Sequence, residues 1–433
     1  MKPGPRLPRT VVGLGLVSLF TDLSSEAIFP LLPAFLVSLG SSSAFIGLVE
    51  GAAELVSNTL KFVMGRVTDR RARLKPLVLL GYGVSTVVRP MVAFAAAPWH
   101  VLLVRVGDRV GKGVRTTPRD ALIASVVDPS IRARAYGFHR AMDHAGAVAG
   151  TLFAAGLLWL LGASAGVGPE NAARMRTVFL WAAVPGFAAM LALALTPEPA
   201  ARAMAGTGGR PIAAPAKADA DAAHSGAGSA SASAAGGPGA LPPALKRALV
   251  ALTIFAIANA TDAFLIVKAA KLGASPALAP MLWLTLHLVK AATATQGGRL
   301  ADRYGKRNAL VLGWCVYGVL WGAIGFVQSL PLLFVLTAVY GISHGLVEGA
   351  ERGLIADLAA GHGRGAAFGA YNMLIGLAAL LASTAFGAVW DRWGSVAAFV
   401  GSASFALVAA GVLFALVPGA PGSTRGGGTE GSS

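Results

Sequence analysis

Between Arg176 and Thr196 the chain reads TVFLWAAVPGFAAMLALAL, a run with no charged residue and no polar face. At about 1.5 Å per helical residue such a run matches a hydrocarbon layer about 30 Å thick. In lipid a backbone must satisfy its own polar groups, which leaves a helix as the simplest answer for a single segment. Comparable stretches recur along all 433 residues, of which 55% are hydrophobic and 13% charged. With a mean hydropathy of +0.65 the chain carries more apolar surface than a soluble core can hide. At about 20 residues per span, roughly twelve helices fit, so the expected fold is all-α and integral to a membrane. The net charge of +16 would point to nucleic acid in a soluble protein. Here most Lys and Arg fall between apolar runs and near their ends, as expected for an inner (plasma) membrane protein with both termini cytoplasmic. Membrane lipid, not nucleic acid, is the expected surrounding. Cys315 is the single cysteine, so no internal disulfide framework exists. The first apolar stretch, from Val11, carries Asp22 and Glu26 and leads into further spans, which marks it as a span and not a cleaved leader.

One connection occurs twice. GGRLADRYGKR runs from Gly297 to Arg307, and a looser GRVTDRRARLK from Gly65 to Lys75. Setting Gly298 on Gly65 places Asp302 on Asp69, Arg303 on Arg70 and Lys306 on Arg73, at an offset of 298 − 65 = 233. Further matches, Gly353–Asp357 on Ala121–Ser125 and Phe368–Tyr371 on Tyr136–His139, keep nearly the same offset. The chain thus reads as two related halves. Each loop lies between apolar segments, so its first glycine is expected to end one helix, its cations to stay in water and its aspartate to face a helix N-terminus.

These loops resemble the G-x-L-x-D-R-x-G-R-K/R signature that the major facilitator superfamily carries after its second and eighth helices. The second copy is close to complete, while in the first Arg71 replaces the aromatic and Ala72 the second glycine. The resemblance implies two pseudo-symmetric six-helix bundles, residues 1–196 and 244–418, joined by a flexible cytoplasmic linker over 197–243 and followed by a disordered tail over 419–433. The composition of linker and tail, rich in Ala, Gly, Ser and Pro, agrees with that division. It also implies that Gly65, Asp69, Arg70, Gly298, Asp302 and Arg303 gate conformational change, and that helices one, four, seven and ten line a central cavity.

Ionisable residues at depth in lipid cost about 2.5–3.5 kcal/mol even on the lenient scale, so they should face partners or water. By the implied arrangement Asp22, Glu26, Arg109, Lys112, Asp262, His344 and Glu348 are candidate cavity residues, and Glu54 and His287, on helices two and eight, join them as substrate and coupling candidates. The helix around RVGDRVGKG resembles the superfamily's fourth-helix motif R-x-x-x-G-x-G, with Arg105 in place and Arg109 where a glycine is usual. Arg109 reads either as a substrate or coupling group or as part of a structural network in which Asp108 neutralises Arg105 and Lys112 of its own helix. Asp22 reads as a proton site or as a cap, through Ser24 or Ser25, of a first helix broken near Pro30 and Pro33. Glu54 and His287, matched by the 233-residue offset, read as coupling groups or as interhelical hydrogen-bonding partners. His344 and Glu348, four apart, have the spacing of a proton relay. GAVAGTLFAAG, from Gly146 to Gly156, resembles the fifth-helix antiporter motif G-x-x-x-G-P-x-x-G-G with Thr151 in place of proline, and its small residues equally suit close packing.

No P-loop, HExxH or paired-cysteine motif is present, so no enzyme activity, cofactor or metal is expected. The expected function is a monomeric secondary active transporter moving a small polar, anionic or amphiphilic organic solute, coupled to protons and directed outward. Uptake of an organic anion by symport, and a solute sensor that does not translocate, are the alternatives.

Overall fold

The computed structural model describes residues 7–69, 71, 73–127, 131–166, 168–197, 242–359 and 364–418. The described helices form twelve rods. They are α1 (Arg9–Ser38), α2 (Ser43–Asp69), α3 (Lys75–Phe94), α4 (Pro98–Val126), α5 (Arg132–Leu160) and α6 (Pro169–Leu195), then α7 (Pro243–Lys271), α8 (Leu278–Tyr304), α9 (Lys306–Gly325), α10 (Leu330–Leu358), α11 (364–393) and α12 (395–416). By length and composition α2, α4 and α8 are the three that fall short of an apolar span. They are the rods that carry Glu50 and Glu54, the arginines of the fourth helix, and His287 with Lys290. Such helices cross lipid only when their neighbours shield the charges.

The rods break where the sequence takes away backbone donors. In α1 a 3-10 turn, Phe29–Leu31, includes Pro30, and α3 tightens into a 3-10 segment, Arg89–Phe94, at Pro90. The break in α7, between Ala258 and Ala263, contains no proline. It persists because the freed carbonyl of Ala258 accepts hydrogen bonds from Tyr317 of α9 and Ser402 of α12, which satisfies a group that lipid could not. The two last rods meet at Gly394, whose φ of 87° only glycine takes easily.

Antiparallel rods bring alternate ends to one face. On the linker face, Thr10 donates to the carbonyl of Pro197, Lys75 to that of Thr196 and Arg307 to that of Val417. On the opposite face, Arg176 donates to the carbonyls of Ala93 and Ala95, and Lys268 bonds the carbonyl of Gly325 and the hydroxyl of Ser395. Within the first half α1 packs on α5, where a side chain at Gly146 or Gly150 would run into the carbonyls of Leu19 and Leu23. The small residues of the GAVAG stretch therefore serve close packing. Between halves α2 packs along α11, and α5 meets α8. The larger hydrophobic core lies mainly in the second half around Trp314, Tyr317, Trp321 and Tyr340, with Phe255 stacked on Trp314 and Phe386 and Phe399 packed at tilted or edge-on angles.

The signature loops differ from expectation in one respect. Gly65 and Gly298 do not end helices: α2 continues to Asp69 and α8 to Tyr304, and a side chain at either glycine would meet open space. The turn after α8 is made by Gly305, at a φ of 89°. A glycine inside a helix is tolerated at a modest cost, so its presence does not force a stop. Arg70 and the side chain of Asp69 lie outside the described residues, as do 198–241 of the linker and the tail from 419.

Candidate functional site

A cavity of about 870 Å³ opens toward the linker face between α5 of the first half and α7, α8 and α10 of the second. Glu26 and Trp283 stand at its deep end, and Arg299, Asp302 and Arg352 at its mouth. Glu26, at the end of the helical part of α1, accepts a hydrogen bond from Trp283 Nε1 of α8 at 2.9 Å. This joins the halves beneath the cavity floor. Trp283 stacks at a tilt on His287, with ring centres 4.7 Å apart. Phe255, Leu284, Leu288 and Val347 supply apolar wall, and Asn259, Thr151 and Ser343 supply uncharged polar groups.

Of the residues singled out from sequence, Glu26, His287, His344, Glu348, Gly298 and Asp302 line this cavity. Asp302 is exposed and makes no ion pair among the described residues. Arg303 lies over the ring of Tyr304 at 5.3 Å, and Lys306 pairs with Asp357 of α10 at 2.6 Å. Asp262 sits behind the cavity wall, bonded to Lys290 and Tyr340. Asp22, Glu54, Arg109 and Lys112, on α1, α2 and α4, do not line it, although Lys112 and Arg109 lie within electrostatic reach of Glu26. Glu54 is exposed and shares no contact with His287, which faces the cavity.

The charged residues of α4 form a buried network, but not within their own helix. Asp108 accepts from Arg89 Nε of α3 at 2.6 Å, with the two side chains 1% and 3% exposed. Arg89 also donates to the carbonyl of Thr21 of α1. Arg105 grips Glu50 of α2 through two bonds, 3.1 and 2.7 Å. In place of the alternative in which Asp108 pairs with Arg105 of its own helix, both Asp108 and Arg105 pair with residues of other helices. Arg89, Arg105 and Arg109 surround the ring of Phe29 at 5.8, 4.0 and 4.9 Å, which places the break of α1 among three guanidinium groups. Arg109 Nε and Nη1 are buried without a hydrogen-bond partner among the described residues. Arg115 bonds Ser85 at 2.6 Å and covers Tyr82. Among the described residues the Asp22 carboxylate accepts no capping hydrogen bond, and Ser25 donates instead to the backbone carbonyl of Asp22 at 3.3 Å. On α5, Asp143 receives a hydrogen bond from Ser18 of α1 and lies 3.5 Å from His139.

In α10 the expected His344–Glu348 relay does not form. His344 turns back to Tyr340 at 2.9 Å, and Glu348 turns forward to Arg352 at 3.2 Å. Side chains four residues apart can meet in either direction along a helix, and here each of the two takes the other neighbour. Trp283, Lys290 and Tyr340 were not singled out from sequence. The signal available was Lys290 in an apolar helix, since an intramembrane cation demands a partner. Nothing in the sequence identified Tyr340 as belonging to the same group.

The sequence pattern of the Major Facilitator Superfamily matches residues 14–267 and 247–432. An uncharacterized MFS-type transporter of Methanocaldococcus jannaschii is 28% identical over 390 residues, 89% of each chain. The multidrug resistance protein MdtH of Yersinia enterocolitica is 30% identical over 145 residues, 33% of this chain and 35% of that one. Among solved structures, a bacterial homolog to the human lysosomal transporter Spinster, crystallised inward-facing and unoccupied, superposes with a TM-score of 0.71 at 16% identity, covering 95% of this chain and 98% of that one. With that pattern matched over both halves, the chain belongs to the Major Facilitator Superfamily and is a multi-pass membrane protein of the secondary transporter class.

Proposed function

We propose that the chain moves a small polar, anionic or amphiphilic organic solute across the inner (plasma) membrane by alternating access, coupled to protons and acting as a monomer. The observation that carries this reading is one cavity walled by both halves, with a carboxylate, Glu26, held across the floor by Trp283. A volume near 870 Å³ is in the range that holds a drug-sized molecule. Aromatic and aliphatic walls interspersed with charged and polar side chains suit an amphiphile or an organic ion, and Glu26, His287 and His344 are groups that can carry a proton. Rocking the halves about a midplane site would expose the same groups to the other side.

Two senses of coupling have support. Export against protons is favoured by the likeness to MdtH over 145 residues and by Gly146 and Gly150. Uptake with a proton is favoured by Thr151 in place of the motif proline and by the ion pair that Lys290, on the cavity lining, makes with Asp262 behind it.

Full-length protein in proteoliposomes, supplied with a library of labelled organic acids and amphiphiles under an imposed pH gradient, tests the proposal. A solute should accumulate against its own gradient, with a direction that reverses when the pH gradient is reversed. Glu26→Gln should lower gradient-driven accumulation at least tenfold. Flux indifferent to the pH gradient would remove proton coupling, and binding without flux in either direction would establish the sensor alternative.

A further inference from the structure

At the break in α7, Asp262 meets side chains of two other helices. Lys290 Nζ of α8 donates to Oδ2 at 2.7 Å, and Tyr340 of α10 donates to Oδ1 at 2.8 Å. One turn along α10, His344 Nε2 lies 2.9 Å from the Tyr340 hydroxyl. The phenol has a single hydrogen and an ionised carboxylate only accepts, so that hydrogen is committed to Asp262 and His344 must be the donor in its own pair. The chain therefore has one polarity, from His344 Nε2–H to Tyr340 Oη–H to Asp262. Its near end is reachable: His344 and Lys290 line the cavity and Asp262 does not. The other titratable groups around Asp262 are His287 of α8 and Tyr317 of α9. Tyr317 donates to the carbonyl of Ala258, and α11 contributes the uncharged Ser383.

We propose that Asp262, Lys290, Tyr340 and His344 form a proton-linked anion site that takes the carboxylate group of an organic solute at Lys290. A proton from the cavity adds to Nδ1 of His344 while the Nε2 proton passes to Tyr340 Oη and the phenol proton passes to Asp262 Oδ1. His344 ends neutral in the other tautomer, Tyr340 is unchanged, and only Asp262 has changed charge. Lys290 is then a cation beside a neutral acid, which is costly where the two side chains are only 18% and 15% exposed. A carboxylate entering from the cavity restores the balance. Proton and anion thus promote each other's binding, and the linkage is reciprocal. Both bind to the same state, which is the sense of a symporter and favours uptake with a proton over export. Binding at this site stands without the transporter reading, and only the translocation step rests on it.

The test uses full-length protein in weakly buffered detergent solution, titrated with benzoate, with chloride as the ionic-strength control. Wild type should take up close to one proton per benzoate bound, and its affinity should rise about tenfold for each unit that pH falls within the linked range. Asp262→Asn should bind benzoate with no proton uptake and no pH dependence. Lys290→Gln should not bind it. Tyr340→Phe should keep the extent of proton uptake but slow it at least tenfold in stopped flow. Should a single charge variant misfold, the double variant Asp262→Asn with Lys290→Gln removes both charges together and should fold without binding benzoate. Absence of benzoate binding, binding without proton uptake in wild type, or uptake surviving in Asp262→Asn overturns the proposal. Proton-linked binding in a wild type that moves no solute would leave this site standing and overturn transport instead.

Discussion

Single residues of α4 show how differently two neighbouring arginines can be placed. Arg105 neutralises Glu50 through a bidentate pair, whereas Arg109 has two buried nitrogens without partners among the described residues. Removing one member of a buried pair leaves the other uncompensated, at a cost of about 3–5 kcal/mol. Arg105→Met should therefore abolish recovery of folded, monodisperse protein or lower its thermal midpoint severely. Arg109→Met breaks no hydrogen-bonded pair among the described residues, although Arg109 also faces the charges of Glu54 and Asp108, and should lower the midpoint less than Arg105→Met in the same assay. Equal destabilisation by both would show that Arg109 also neutralises a buried carboxylate. The spacing of Arg105, Asp108, Arg109 and Lys112 identified a charged helix face, but not that Asp108 would choose Arg89. Periodicity says which residues share a face and is silent on which neighbouring helix presents the opposite charge.

Among elements, the α2–α11 pair holds the face opposite the linker closed. Asp391, near the end of α11, accepts hydrogen bonds from the backbone N–H groups of Ser43 and Ala44 at 2.9 and 2.8 Å, capping a helix that belongs to the other half. Close by, a side chain at Gly387 would strike the carbonyl of Ser43, and one at Gly47 that of Ser383. Opening this face must separate the two helix ends, so the cap stabilises only the state seen here. Removing a cap costs about 1 kcal/mol, which for a two-state equilibrium is a roughly fivefold shift. Asp391→Ala should accordingly raise the fraction opened on this face about fivefold, read as a longer distance between spin labels at the ends of α2 and α11. Gly387→Val, which overpacks the contact by about 1–3 kcal/mol, should shift the same distance in the same direction. An unchanged distance distribution in both variants would exclude this latch. The bend in α1 was legible from Pro30. The break in α7 was not, because its cause is a pair of hydroxyls, on Tyr317 and Ser402, that arrive from other rods.

For the whole molecule, the basic connections on the linker face predict that both chain ends lie in the cytoplasm. Green fluorescent protein fused after residue 418 should fluoresce, and alkaline phosphatase at the same point should be inactive. The reverse pattern is expected for fusions in the turn at 40–42, and the opposite outcome at both positions would invert the assigned orientation. Apolar runs of membrane length and a loop repeated at a fixed offset were enough to determine the class of fold, the two halves and the family, because those properties follow from the solvent and from chain order. Which buried charges pair, that Glu26 reaches Trp283 across the halves, and that Lys290, Tyr340 and His344 converge on Asp262 were decided only when the rods packed. Contacts between residues far apart in sequence depend on the rotation and depth of each helix, and those are set by the neighbours it packs against.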